Sequence, residues 1–154
     1  MKKSIILAAV ALLIGIAASA QPKAIGLRLG YYNAVSYEHY LGGDNFIEAN
    51  GGIYGNSGGV SFFADGIYNF TIAHPDWTPR GEWGFYAGPG LTLGTWANGG
   101  NASFDIGICG QVGLEYTFWF PLNLSFDLRP RFGFISRNFD PLVLVPCLSV
   151  RYAF

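Results

Sequence analysis

Charge is what this chain has least of. Asp, Glu, Lys and Arg make up 12% of its 154 residues, about half the share found in an ordinary soluble domain. Nine basic residues against ten acidic ones leave a net charge of −1. That balance offers no basic stripe for phosphates and excludes nucleic acid as a partner. Cysteine is nearly absent, with Cys109 and Cys147 the only two. Together with two histidines, His39 and His74, they make no donor set at the spacing a metal requires. A sustained helical period is missing as well, which excludes a helical bundle. Gly88-Pro89-Gly90 and the other Gly-x-Gly runs open no helix, so they are not phosphate loops. The residues therefore indicate no cofactor, no metal and no catalytic group.

Long hydrophobic runs are limited to one, at the amino terminus. Lys2 and Lys3 precede an uncharged stretch over residues 5 to 17, and Ala18-Ser19-Ala20 follows it. This is the pattern of a secretory signal peptide over residues 1 to 20, cleaved before Gln21. The run is short for a helical span, which needs about 20 apolar residues. No cysteine follows the cut, so a lipoprotein anchor is not indicated. The mature domain is then residues 21 to 154, with seven basic and ten acidic residues and a net charge of −3.

Aromatics (17%) and glycines (22) are plentiful. Turn clusters recur at Tyr32-Asn33-Ala34, Gly42-Gly43-Asp44-Asn45, Gly55-Asn56-Ser57-Gly58-Gly59, residues 73 to 81, Asn98-Gly99-Gly100-Asn101, residues 119 to 122 and residues 136 to 141. Seven breaks make eight strands, expected at about 24 to 32, 35 to 41, 46 to 54, 60 to 71, 82 to 96, 103 to 118, 122 to 135 and 142 to 154. Alternate residues along each strand form one apolar face, for example Val60, Phe62, Ala64, Gly66, Tyr68 and Phe70, or Leu122, Leu124, Phe126, Leu128, Pro130, Phe132 and Phe134. The other face holds every strand charge: Arg28, Glu38, Glu48, Asp65, Glu82, Asp105, Glu115, Asp127, Arg129, Arg131 and Arg151. Two architectures alternate in this way and bury opposite faces. A soluble lipocalin-like barrel encloses the apolar face around a small ligand, whereas a membrane barrel turns it to lipid. The export signal favours the second.

The terminal run, residues 142 to 154, carries an apolar alternation through Leu148 and Val150 to Tyr152 and Phe154. It resembles the terminal strand that the Gram-negative barrel-assembly machinery reads in outer-membrane proteins. With Ile25-Gly26-Leu27-Arg28-Leu29-Gly30-Tyr31 and Gly113-Leu114-Glu115-Tyr116-Thr117-Phe118, it resembles the small eight-stranded outer-membrane barrels, the class of OmpX and the OmpA membrane domain. The resemblance implies an all-β, eight-stranded antiparallel up-and-down transmembrane barrel in the outer membrane. It implies lipid around the barrel, assembly through Tyr152 and Phe154, a monomer, and no single biochemical activity. An even strand count returns both termini to the periplasm. Phe46, Phe70, Trp83, Phe118, Trp119, Phe120 and Phe154 then fall at periplasmic strand ends as an interfacial girdle. Tyr31, Tyr54, Phe62, Trp96 and Phe104 fall near the opposite rim.

Within this frame the inward charges are expected to form a packed, paired core, because an eight-stranded barrel has room only for its own side chains or one small ligand. Arg28, Arg129, Arg131 and Arg151 should bridge carboxylates on neighbouring strands, chiefly Glu38, Glu115 and Asp127. The surplus of three acids requires internal water, protonated carboxyls or side chains that reach the rim. A lipid A-modifying enzyme is the alternative, but its groups would have to meet lipid at the outer leaflet. His39 and His74 both fall at the periplasmic end. Cys109 and Cys147 lie two strand spacings apart, about 9 to 10 Å, beyond the reach of about 7 Å for a disulfide. Pro89, Pro130 and Pro146 interrupt predicted strands, where bulges or local breaks are expected.

Overall fold

A computed structural model describes residues 23–30, 32–56, 59–98, 101–133 and 143–154. The expected signal peptide, residues 1 to 20, lies outside these residues, as does Tyr31 of the expected rim. Eight strands follow one another: β1 (Lys23–Gly30), β2 (Asn33–Tyr40), β3 (Asn45–Asn56), β4 (Gly59–Ala73), β5 (Glu82–Asn98), β6 (Asn101–Thr117), β7 (Asn123–Gly133) and β8 (Val143–Ala153). Alternating β-branched and aromatic residues hold these segments extended. Glycines in the left-handed region, Gly42 and Gly43 (φ 87° and 79°) and Gly81 (φ 72°), let the chain turn between them. β2 begins earlier than the sequence suggests, because Asn33, expected in the turn after β1, already pairs with Ile53 of β3.

Each strand pairs antiparallel with the next, and β8 returns to β1 to close the barrel. The seam runs from Ala24 opposite Ala153 to Gly30 opposite Cys147. Pro146, one of the three prolines expected to interrupt a strand, lies one residue beyond the last of these pairs and opposes Leu128 on its other side. The other two prolines do break ladders. Pairing between β4 and β5 lapses from Ile67–Gly90 to Phe70–Ala87, around Pro89. Pairing between β6 and β7 lapses from Cys109–Arg131 to Val112–Leu128, around Pro130. Register resumes unchanged beyond each gap, so a missing N–H costs local bonds without shifting a face. A register shift occurs elsewhere, between Thr71 and Ala73.

Pairs can be followed once round the barrel from Ala24 through Glu38, Glu48, Ile67, Gly90, Cys109 and Arg131 to Val143. Val143 is four residues before Cys147, the partner of Gly30, so the walk arrives level with position 34, a shear of ten residues. At a strand spacing of about 4.8 Å and a rise of about 3.3 Å per residue, that shear tilts the strands by roughly 40°. The resulting cylinder is just wide enough to be filled by its own side chains.

The apolar face points outward: Phe62 is 60% and Leu91 63% exposed. Arg28, Glu38, Glu48, Asp65, Glu115, Asp127, Arg129, Arg131 and Arg151 are all buried. This is the reverse of a soluble barrel that encloses an apolar ligand. One member of the expected girdle is misplaced. Phe46 shares the parity of Glu48 and Asn50, and its ring is fully buried inside the barrel between Tyr40 and Tyr86, at centroid distances of 5.1 and 5.3 Å.

Candidate functional site: a closed polar lumen

The register explains how the lumen is filled. The residues flanking Arg28 are Ala34 and Ser149, and those flanking Arg151 are Gly26 and Asn123. Small or uncharged neighbours leave each guanidinium to find its carboxylate across the axis. Arg28 on β1 forms a bidentate pair with Asp127 on β7, with Nη1 donating to Oδ2 at 2.8 Å and Nη2 donating to Oδ1. Arg129 on β7 donates to Asp65 on β4 at 2.8 Å and to Glu48 on β3 at 3.0 Å. Arg131 joins the same Asp65 oxygen at 2.5 Å. Arg151 on β8 lies 2.9 Å from Glu38 on β2 and 3.3 Å from Glu48.

The expected arginine partners are therefore only partly those observed. Glu38 and Asp127 are ion-paired, but none of these bridges joins adjacent strands. Among the described residues Glu115 pairs with no arginine, and it accepts hydrogen bonds from Tyr40 Oη at 3.1 Å and Asn123 Nδ2 at 3.2 Å. The unexpected centre is Glu48. It meets Arg28, Arg129 and Arg151 at 3.0 to 3.3 Å and accepts from Gln111 Nε2 at 2.8 Å. Glu38 and Glu48 oppose each other directly across β2 and β3, an arrangement of like charges that would be unfavourable alone. Arg151 lies against both.

The acid surplus in the lumen narrows from three to one. Among the described residues, Glu82 is exposed and Asp105 is half-buried near the rim. Five buried carboxylates remain against four buried arginines in the strand interiors. Aromatic rings close both ends of this polar stretch. Toward the end that carries the termini lie Tyr40, Phe46 and Tyr86, while at the other end the Arg131 guanidinium sits 4.7 Å from the Phe63 ring centroid and 4.9 Å from that of Tyr32. Arg28, Tyr32, Phe63, Arg129, Arg131 and Cys147 line a void of about 10 Å³, room for about one water.

The N-terminal β-barrel domain of Pseudomonas aeruginosa OprF superimposes with a TM-score of 0.65 over 87% of this chain and 96% of that one, at 15% identity. The chain shares the fold of the OprF barrel domain. Matches to Neisserial surface protein A (TM-score 0.46, 13% identity, 86% and 91% of the two chains) and to Ail, the attachment invasion locus protein of Yersinia pestis (0.38, 12%, 87% and 95%), are also found. No protein-family model matches the chain, and neither does any curated protein sequence. An OprF-like barrel accounts for strand number, closure and connectivity. The lumen chemistry above belongs to this chain's own residues.

The remaining candidates are dispersed. Cys109 and Cys147 are buried free thiols on either side of β7, opposite Arg131 and Asp127 respectively and thus four residues apart along that strand. His39 stacks on Tyr37, with 3.3 Å between Tyr37 Oη and His39 Nδ1. His74 lies in the exposed turn after β4, 3.2 Å from Asp44 in the turn after β2. Both histidines are at the end of the barrel that carries the termini. Among the described residues no group of three or more His, Cys, Asp or Glu side chains is arranged to hold a metal.

Outside the barrel, the girdle is richer than the sequence suggests. Trp77 packs on Trp83 at 5.2 Å and on Phe85 at 5.6 Å, and Trp83 continues to Tyr116 at 4.6 Å. Tyr116 reaches Phe118 at 4.5 Å, which meets Phe120 at 4.9 Å. Trp77 was not expected there because it lies in a turn, and strand parity says nothing about a turn that folds back on the wall.

Proposed function

We propose that this chain is an integral outer-membrane barrel, with both termini in the periplasm, whose role is structural or concerned with surface contact rather than catalysis or conduction. The observation that carries this reading is the inversion of polarity around a closed sheet. Lipid is the solvent that suits an apolar exterior, and closure leaves no unpaired edge in hydrocarbon. The OprF likeness supports the fold, and the aromatic girdle supports placement of the termini at one interface. Ion pairs and rings fill the lumen, which supports a plugged barrel over a pore. The mature domain begins at Gln21 in this reading, and Tyr152 and Phe154 present the assembly signal.

Three measurements test it. The chain should remain with membranes after carbonate washing, and recovery in the soluble periplasmic fraction would refute membrane residence. A tag inserted between β5 and β6, at residues 99 to 100, should be reachable on intact cells, whereas one after Phe154 should not. The reverse pattern would invert the orientation. In planar bilayers the purified barrel should show no steady conductance; a stable open level would refute the plugged lumen.

A further inference from the structure

The turn between β4 and β5 does not hang beneath the barrel. It folds back over the outer wall. Trp77 covers the outward rings of Trp83 and Phe85. Thr78 Oγ1 accepts from Trp83 Nε1 at 3.1 Å and donates to the Arg80 carbonyl at 2.8 Å. Tyr116 Oη, from the outward face of β6, donates to the same carbonyl at 2.8 Å. Gly81 follows with φ 72°, and a Cβ there would lie 2.5 Å from Tyr116 Oη, so the turn needs glycine to sit this close to the wall. The backbone of Arg80 is thus fastened to the lipid-facing side, and its guanidinium lies 5.9 Å from the centroid of Trp119.

Arg80 is the one exposed Lys or Arg among the described residues. It takes part in no ion pair among them, although Asp76 precedes it in the turn and Glu82 follows at the start of β5. The cation is therefore held beside the wall at the termini end, next to an aromatic ring, with no ion-pair partner among the described residues. We infer that Arg80, with Trp77, Trp83 and Trp119 around it, forms a site for the phosphate of an anionic glycerophospholipid in the leaflet at the termini end. The guanidinium supplies paired N–H donors to the phosphate oxygens, and the rings support the glycerol and upper acyl chain. The inference rests on the membrane reading above and adds a preferred headgroup and a position on the wall.

The full chain, in a Trp96→Phe background so that emission comes from the three tryptophans at the site, is folded into vesicles of equal phosphatidylglycerol and phosphatidylcholine. Bromine is placed on the acyl chains of one lipid or the other, so that only the label moves. Phosphatidylglycerol should be enriched about fivefold beside the tryptophans, as expected of one cation at an anionic surface, and its bromine should quench correspondingly more. Arg80→Gln should bring the two labels to equal quenching, while Arg80→Lys retains part of the preference. Equal quenching in the parent chain, or an undiminished preference in Arg80→Gln, overturns the site. Absence of quenching by either label overturns the membrane reading itself, so the two failures are distinguishable. Quenching of Arg80→Gln by brominated phosphatidylcholine at least as strong as in the parent shows that the variant is still inserted.

Discussion

Glu48→Gln is the sharpest perturbation of the lumen, because it removes one charge and almost no volume. Glu48 faces Arg28, Arg129 and Arg151, and all four side chains are at most 3% exposed. Removing one partner of a buried pair costs about 3 to 5 kcal/mol. The three pairs share one carboxylate, so the losses do not triple. Each arginine also keeps another acid: Asp127 for Arg28, Asp65 for Arg129 and Glu38 for Arg151. The expected loss is therefore at the lower end, about 3 kcal/mol. Urea titration of the barrel refolded into lipid vesicles, followed by tryptophan emission, measures it directly. Glu82→Gln, at an exposed position, is the control and should stay within about 0.5 kcal/mol of the parent. Adding Arg129→Met to Glu48→Gln should recover part of the loss, since it withdraws one of the cations that lost a partner, with a coupling of about 1 to 3 kcal/mol. A Glu48→Gln barrel as stable as the Glu82→Gln control would refute the hub. Strict additivity with Arg129→Met would refute the pairing.

Two further substitutions test packing. Phe46→Ala should cost about 3 to 5 kcal/mol as an interior ring lost from the plug, whereas Phe70→Ala, on a side chain 47% exposed on the outer face, should cost clearly less; equal costs would return Phe46 to the girdle. Gly88→Ala would place a Cβ 1.9 Å from the Tyr68 carbonyl oxygen, so β4 or β5 must move at a cost of about 3 kcal/mol. Gly51→Ala meets nothing within 4 Å and should be neutral or stabilising; matched stabilities in the same urea titration would contradict the close approach of β4 and β5 at Gly88.

Strand count, strand parity and the direction of each face were legible because they depend on a period of two, which the strands keep apart from the shift between Thr71 and Ala73. Strand ends moved by one or two residues, where Asn33 and Lys23 extend ladders that turn chemistry alone would have stopped. Pro89 and Pro130 were readable as breaks, since a missing N–H is a local fact. The pairing of the lumen was not. Parity says that Arg129 and Glu48 both point inward, but only shear and strand tilt bring β7 and β3 to the same height, and no local signal carries the shear. Phe46 shows a milder form of the same difficulty. Its position at a strand end suggested an interfacial ring, while its parity with Glu48 places it in the lumen. Trp77 and Arg80 were opaque for another reason, because the path of their turn is set by hydrogen bonds from Thr78 and Tyr116 rather than by any period.

Two ion pairs cross the seam where the chain closes on itself, and they do so in opposite senses. Arg28 on β1 reaches past β8 to Asp127 on β7, while Arg151 on β8 reaches past β1 to Glu38 on β2. A slip of one residue between β1 and β8 would turn one of these strands over, taking an arginine from the lumen into lipid. The cost at the bilayer midplane is about 2 to 4 kcal/mol for the cation, in addition to the stranded carboxylate. A one-residue slip in an all-apolar lumen would incur no such penalty. Buried pairs often add little to net stability relative to well-packed apolar residues of similar volume, so their effect here falls on register. Replacing Arg28 and Asp127 together by leucine should therefore leave the unfolding free energy of correctly closed barrels within about 1.5 kcal/mol of the parent. The fraction that closes correctly on refolding into vesicles should fall, with a second, protease-sensitive population appearing. A uniform, fully protected population formed in the parent's yield would refute the argument that these charges select the register of closure.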